Sequence, residues 1–331
     1  MDAPRHTDLN ALPLPDLYHA LAGTGLVRRL LELARDEDLG CEDSPWHGRA
    51  RPDAARAWGG DITSDACIDP ARSGRAEMSA RTPGVIAGLA CIPELIEVFA
   101  PGCRFTPRVR DGAAVGANTT LGVLEGPLDE VLGLERTLLN LVSRLSGVAT
   151  RTAEFRRAMG EGRANLYDTR KTTPGLRVLE KYAVRCGGGL CHRIGLFDAV
   201  LIKDNHLAGV ATGELASFVR TAAERARSLP GHVPPSFIEV EVDTLDQLAA
   251  ILTLPPGTVD IVLLDNMGPP QLRDAAGMRD RGNPRLQLEA SGGVNLTTIR
   301  DIAQTGVDRI SVGGLTHAAP SLDIGLDIGD Q

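Results

Sequence analysis

The chain has 331 residues, 43% of them hydrophobic and 24% charged, with 35 basic against 43 acidic side chains and a formal net charge of −8. That composition is globular, outside the low-hydrophobicity regime of disorder, and the length suits two domains. An acidic balance without any basic run excludes nucleic acid and anionic membrane as main partners, because both need a net positive face.

In chain order, Met1–Asp16 is Pro-rich with mixed charge and lacks the basic-then-apolar order of a signal peptide. No stretch approaches the ~20 consecutive apolar residues of a membrane span. Residues 1–40 read as a polar leader followed by an amphipathic helix over Leu26–Asp38, with Leu26, Leu30, Leu31 and Leu33 as its apolar stripe. Cys41–Trp58 is rich in Pro, Arg, Ala and charge without periodicity, which predicts an exposed insertion. Residues 61–130 read as β-rich, with alternating runs at Arg75–Arg81 and Thr119–Glu125 between Pro/Gly turn signals. A long helical pattern covers Asp129–Met159, with a break expected at Ser146-Gly147.

Beyond it the rhythm changes to strand, helix, strand. Apolar runs of strand length recur at Ala164–Thr169, Ala199–Lys203, Phe237–Val242, Val259–Leu264, Leu286–Ala290 and Arg309–Val312. Helical spacing fills Leu215–Arg227, Leu245–Leu254 and Leu296–Thr305. Near-continuous apolar strands alternating with helices predict a parallel sheet, doubly wound or closed as a barrel. Polar or small residues end every strand rather than those at one switch point, which favours a barrel with its functional groups at the C-terminal rim. The expected domains are residues 1–146 and a barrel over 147–315, with 316–331 packing back on the first.

The cysteines (Cys41, Cys67, Cys91, Cys103, Cys186, Cys191) are scattered, as reduced thiols in a cytoplasmic protein are. Cys186 and Cys191 have no second Cys/His pair at ligand spacing and read as buried small residues. Only three of the 35 basic residues are lysines, Lys171, Lys181 and Lys203, and all fall in one short segment. In a chain that otherwise uses Arg, a retained Lys points to a site needing a compact ammonium; chance clustering is the alternative, and Lys181, inside an apparent helix, also reads as structural.

Five constellations carry candidate chemistry. Asp168–Gly175 places Arg170 and Lys171 at a strand end, a guanidinium fork beside a point charge for carboxylate or phosphate. His192-Arg193 follows three glycines, Gly187–Gly189. Lys203-Asp204-Asn205-His206 closes the next strand; Lys203 suits pyrophosphate or a carboxylate, and a Schiff base is the competing reading. Glu239 and Glu241 share a strand face and Asp265 ends the following strand, acids suited to Mg²⁺, to a cationic transition state, or to structural ion pairs with the arginines. Ser291-Gly292-Gly293 and Gly313-Gly314 follow the last two strands, where glycine-freed amides hold phosphate and where plain turns are the alternative.

Taken together these segments resemble the quinolinate phosphoribosyltransferase family. The resemblance lies in Asp168–Gly175, Leu179–Gly189, His192-Arg193, Leu201–His206, Glu239–Val242, Leu264–Met267, Glu289–Gly293 and Ser311–His317. Upstream, Glu37–Gly40 with Gly60–Ser64, Glu135–Thr137 and Leu145–Gly147 also match. It implies an N-terminal open-faced α/β sandwich, a C-terminal partly closed α/β barrel, and a homodimer in which Arg136 reaches the partner's barrel; a higher oligomer is also open. It implies that Arg136, Arg170, Lys171, His192 and Arg193 meet the carboxylates of quinolinate. Lys203, Glu241 and Asp265 would serve phosphoribosyl pyrophosphate and its Mg²⁺, with the 5′-phosphate on Ser291–Gly293 and Gly313-Gly314. Lys171, Lys203, Glu241 and Asp265 are the candidate catalytic residues. The chain departs from the family pattern in the 41–58 insertion, in Cys191 where Asn is expected and in Gly314 where Ala is usual. A different acceptor, a Lys203 aldolase and a non-catalytic sensor of phosphoribosyl metabolites are the remaining readings.

Overall fold

A computed structural model describes residues 7–40 and 60–329, so the expected insertion at 41–58 lies outside the described residues. The described residues on either side of it are joined directly, Gly60 N–H donating to Leu39 O at 2.9 Å. Two units interleave along the chain. One comprises residues 12–151, 173–188 and 319–331, the other 1–11, 152–172 and 189–318.

The first unit opens with α1 (Leu14–Ala22), α2 (Leu26–Leu39) and α3 (Ile62–Cys67). Helix α1 falls where a polar leader was expected. Leu17, Tyr18 and Leu21 are one turn apart and buried, an apolar stripe too short to stand out among the prolines. In α3, Asp61 caps the first turn, accepting from the Ser64 hydroxyl and from Ser64 N and Thr63 N, and these bonds, the hydroxyl's first, hold its carboxyl below the usual range. Strands β1 (Ser73–Ala80), β2 (Gly84–Val85), β3 (Arg104–Pro107), β4 (Ala114–Val115) and β5 (Thr119–Pro127) follow, with α4 (Ile92–Phe99) between β2 and β3. Strand β1 alternates strictly, burying Gly74, Ala76, Met78 and Ala80.

Helix α5 (Leu128–Met159) begins in this unit and continues into the other. It runs unbroken through Ser146-Gly147, contrary to the sequence expectation. The small residues there serve close packing: Ser146 Oγ accepts Ala87 N–H at 3.1 Å, and a Cβ on Gly147 would lie 1.9 Å from Pro320 O. Helix α6 (Arg177–Cys186) also belongs here, between two segments of the second unit.

The second unit carries β6 (Asn165–Tyr167), β7 (Val200–Ile202), α7 (Thr212–Arg227), β8 (Ile238–Val242), α8 (Leu245–Leu252), β9 (Ile261–Asp265), α9 (Pro269–Gly282), β10 (Gln287–Ser291), α10 (Ile299–Ala303) and β11 (Arg309–Ser311). The C-terminal β12 (Ile324–Ile328) returns to the first unit and completes an antiparallel sheet of order β12-β1-β5-β3. Sequence reading passed over α9 because it begins with Pro269-Pro270, yet proline is at home in a helix's first turn.

Strands β6 to β11 form one parallel sheet of order β6-β11-β10-β9-β8-β7. The first strand lies beside the last and each other strand beside its successor. That cyclic order belongs to a barrel opened at one seam, between β6 and β7. Leu190 partly fills the seam through an isolated parallel bridge to Tyr167. This is the partly closed α/β barrel expected from the sequence.

Candidate active site

Parallel strands put all their C-terminal ends on one rim, and a cavity of about 880 Å³ opens there. Arg170 and Lys171 enter from the loop after β6, and His192 and Arg193 from the loop before β7. Lys203 closes β7, Glu241 lies in β8 and Asp265 ends β9. Ser291, Gly292 and Gly293 follow β10, and Gly313 and Gly314 follow β11. These twelve candidate residues therefore line one cavity, while the remaining acid candidate, Glu239, is fully buried and does not reach it. Arg136 belongs to the other unit, on α5, with its side chain 70% exposed and Glu135 at 3.9 Å.

One side of the cavity is cationic. The Arg170 Nε is buried and makes no hydrogen bond, which costs about 1–3 kcal/mol unless a ligand supplies the acceptor. Arg193 is buried and donates to Ala199 O at 3.2 Å. Burial, and then the charge of Arg170, lower its affinity for its own proton. Two guanidinium groups that destabilise one another in a concave, partly desolvated place form a sink for an anion. Lys171 is fixed through its backbone, its N–H donating to Thr169 Oγ1 at 3.0 Å and its carbonyl accepting Thr316 Oγ1 at 2.6 Å. A Cβ on Gly313 would stand 2.8 Å from Lys171 Cδ, so glycine there leaves room for the ammonium stem.

Across the cavity Lys203 Nζ donates to Glu241 Oε2, tying β7 to β8 at the rim. Asp265 accepts from Asn266 Nδ2 at 2.6 Å. Asn266, absent from the candidates, adopts φ +54° and donates its N–H to Ser291 O at 2.9 Å. This draws the β9 loop against Gly292, where a Cβ would meet Asn266 Oδ1 at 2.2 Å and its backbone N at 2.9 Å. Gly292 and Gly293 both hold positive φ, +90° and +61°. The Gly-rich turn is thus a tight backbone surface that side chains are excluded from.

Beneath the rim lies a buried ionic cluster of His192, Glu239, Glu289 and Arg309. His192 Nε2 is 3.0 Å from Glu239 Oε2 and 3.4 Å from Glu289 Oε1, and Arg309 Nε donates to Glu289 Oε2 at 2.6 Å. Burial opposes a charged ring and the carboxylates of Glu289 and Glu239 favour one, but Nδ1 accepts the N–H of Arg193 at 2.8 Å, so the imidazole is neutral and its proton sits on Nε2, facing the acids. Burial likewise opposes the Glu289 carboxylate; His192 and Arg309 overcome it and hold that group down to about 2. Glu239 is raised, by burial first and then by the charge of Glu289. Among the described residues these are the three His, Cys, Asp or Glu side chains close enough to share an ion. Arg309 already supplies the positive charge. Arg309 was not foreseen; the signal was a charged residue opening an otherwise apolar strand. Cys186 and Cys191 are buried free thiols.

An α/β-barrel enzyme with a polyanion site on its C-terminal rim is the class that this fold and cavity define. Residues 61–146 match the family described as quinolinate phosphoribosyl transferase, N-terminal domain, and residues 148–327 match its C-terminal domain. The chain belongs to the quinolinate phosphoribosyltransferase family. It is 43% identical over 273 residues to the nicotinate-nucleotide pyrophosphorylase [carboxylating] of Mycobacterium leprae, covering 82% of this chain and 92% of that one. Against the chloroplastic enzyme of that name from Arabidopsis thaliana the identity is 36% over 281 residues, 81% of this chain and 78% of the relative. The structure of the nicotinate-nucleotide pyrophosphorylase from Francisella tularensis superposes with a TM-score of 0.77 at 31% identity, covering 98% of this chain and all of that one. No helix among the described residues is long and apolar enough to cross a membrane.

Proposed function

We propose that this enzyme transfers the phosphoribosyl group of phosphoribosyl pyrophosphate to quinolinate with loss of CO₂, yielding nicotinate mononucleotide and pyrophosphate for NAD biosynthesis. The observation that carries the reading is the meeting of twelve sequence-predicted residues around one cavity, cationic on one side and carboxylate- and glycine-lined on the other.

In this reading Arg170, Lys171 and Arg193 clamp the two carboxylates of quinolinate, with His192 behind them and Arg136 supplied by the partner of a homodimer. Holding both carboxylates aims the pyridine nitrogen at the ribose C1, an orientation effect worth several kcal/mol of barrier. Ser291–Gly293 and Gly313-Gly314 hold the 5′-phosphate through backbone amides. As the bond from C1 to pyrophosphate breaks, positive charge develops on the sugar. Glu241 and Asp265 stabilise it, and Lys203 takes the charge of the departing pyrophosphate. Alkylation of the nitrogen makes the ring cationic, so the adjacent carboxylate leaves as CO₂. The bonding pair stays on the ring carbon beside the cationic nitrogen, that carbon takes up a proton from water, and no covalent bond to the protein is needed.

Glu241 and Asp265, on neighbouring strands, fit Mg²⁺, which takes one or two carboxylates together with substrate phosphates. When bound, the ion would neutralise the phosphate oxygens of the leaving group. The free cysteines among the described residues support a cytoplasmic setting. The test is Arg170→Ala: turnover of quinolinate is expected to fall at least about 100-fold with the melting temperature retained. An Arg170→Ala enzyme with unchanged kinetics would remove the clamp from the account.

A further inference from the structure

His192 has both ring nitrogens engaged inside the protein. Nδ1 accepts the N–H of Arg193 at 2.8 Å, while Nε2 faces Glu239 and Glu289 within ion-pair distance. Its own backbone N–H donates to Asp168 Oδ1 at 2.7 Å. The ring is gripped edge-on by Tyr167 and Phe237, with centroids at 6.4 and 5.4 Å. A ring so committed has little left to offer a ligand directly, but it can fix what lies beside it.

The carboxylates below it have no comparable second use. Glu239 is fully buried, neither oxygen makes a hydrogen bond, and the contact to His192 is its one close polar contact among the described residues. Glu289 is fully buried between His192 and Arg309, whose guanidinium lies 3.6 Å over the Tyr167 ring. Apolar side chains at these strand positions would pack at no desolvation cost, so an ionic cluster here adds nothing that the core requires. What it does is set the imidazole. A proton on Nε2 faces the acids and leaves Nδ1 bare for Arg193, whereas a proton on Nδ1 would break that bond.

We propose that Glu239, Glu289 and Arg309 are positioning residues for the acceptor end of the cavity, acting through His192 on the backbone of Arg193. The proposal rests on the reading that Arg193 clamps a pyridine dicarboxylate. It separates these residues from the phosphate end, because none of the cluster's contacts runs to Gly292 or Gly313.

The test uses the full-length enzyme as Glu239→Gln and as the double variant Glu289→Leu/Arg309→Met. The double variant removes both charges at once, so it stays foldable where Glu289→Gln would strand a buried guanidinium. Two readouts are taken: KM for quinolinate against KM for phosphoribosyl pyrophosphate, and the His192 ring signals of ¹⁵N-histidine-labelled protein. The expected result is a rise of at least about tenfold in KM for quinolinate with KM for phosphoribosyl pyrophosphate within about twofold. In the wild type the ring signals should report protonated Nε2 and bare Nδ1, a pattern that both variants lose. Folded variants with unchanged KM for quinolinate and an unchanged ring signal would overturn the proposal. So would an equal loss toward both substrates, which reports general loosening. If the wild type does not turn over quinolinate, the functional reading fails, and the ring signal still tests the positioning network.

Discussion

Gly292→Ala tests the glycine turn in a way that can be worked from the structure. At φ +90° an alanine pays about 1–2 kcal/mol in backbone strain alone. Its Cβ would also stand 2.2 Å from Asn266 Oδ1 and 2.9 Å from Asn266 N. The amide oxygen can swing away, but the backbone nitrogen is tied to Ser291 O at 2.9 Å, so the β9 loop itself must move. Overpacking of that kind adds about 1–3 kcal/mol, for a total of roughly 2–5 kcal/mol. Gly293→Ala is the control, with φ +61° and nothing within 4 Å of its Cβ, so strain of about 1–2 kcal/mol is all it should cost. The assay is a thermal melt of each variant with KM measured for each substrate. Gly292→Ala should raise KM for phosphoribosyl pyrophosphate at least about tenfold and melt several degrees below Gly293→Ala, since about 1 kcal/mol corresponds to roughly 2–4 °C at this unit size. Equal behaviour of the two variants would refute the argument from close approach.

The dimer reading predicts complementation. Arg136→Ala and Lys203→Ala should each be inactive, and equimolar refolding of the two should restore about a quarter of wild-type activity, because half the dimers then carry one intact site. Activity that stays absent after mixing would place Arg136 in its own subunit's site or in none. The buried cluster predicts a loss of stability in acid. Glu289, held down to about 2 from 4.5, contributes stability that is present above pH 4.5 and lost as pH falls toward 2. Glu239, raised by burial and by the charge of Glu289, contributes stability that is present below pH 4.5 and lost as pH rises above it. Melting temperature should therefore fall as pH drops from about 4.5 toward 2, and Glu289→Leu/Arg309→Met should flatten that acid side; an unchanged acid side would contradict the assignment.

The barrel was legible because buried parallel strands leave apolar runs of strand length, and because each run ended in Arg, Lys, Glu, Asp or Gly where a rim must be polar. Six runs became β6 to β11 with ends shifted by one or two residues. What the sequence hid was long-range. Gly147 read as a helix break because its partner, Pro320, lies far along the chain. Helix α1 hid because Pro13 and Pro15 suggested a leader, although proline near a helix start is harmless. Asn266 gave no local sign of a positive φ, which depends on its bond to Ser291. Glu239 was visible as an acid in an apolar strand, but its pairing with His192 depends on loop closure across the barrel.

The central claim is tested most directly by supplying the purified protein with quinolinate, phosphoribosyl pyrophosphate and Mg²⁺ and counting nicotinate mononucleotide against CO₂. The account predicts the two in equal amounts, with neither formed when phosphoribosyl pyrophosphate is omitted. Product formed from nicotinate or another acceptor, with quinolinate left untouched, would leave the barrel and its phosphate turn standing and contradict the assignment of the cationic clamp to a pyridine dicarboxylate.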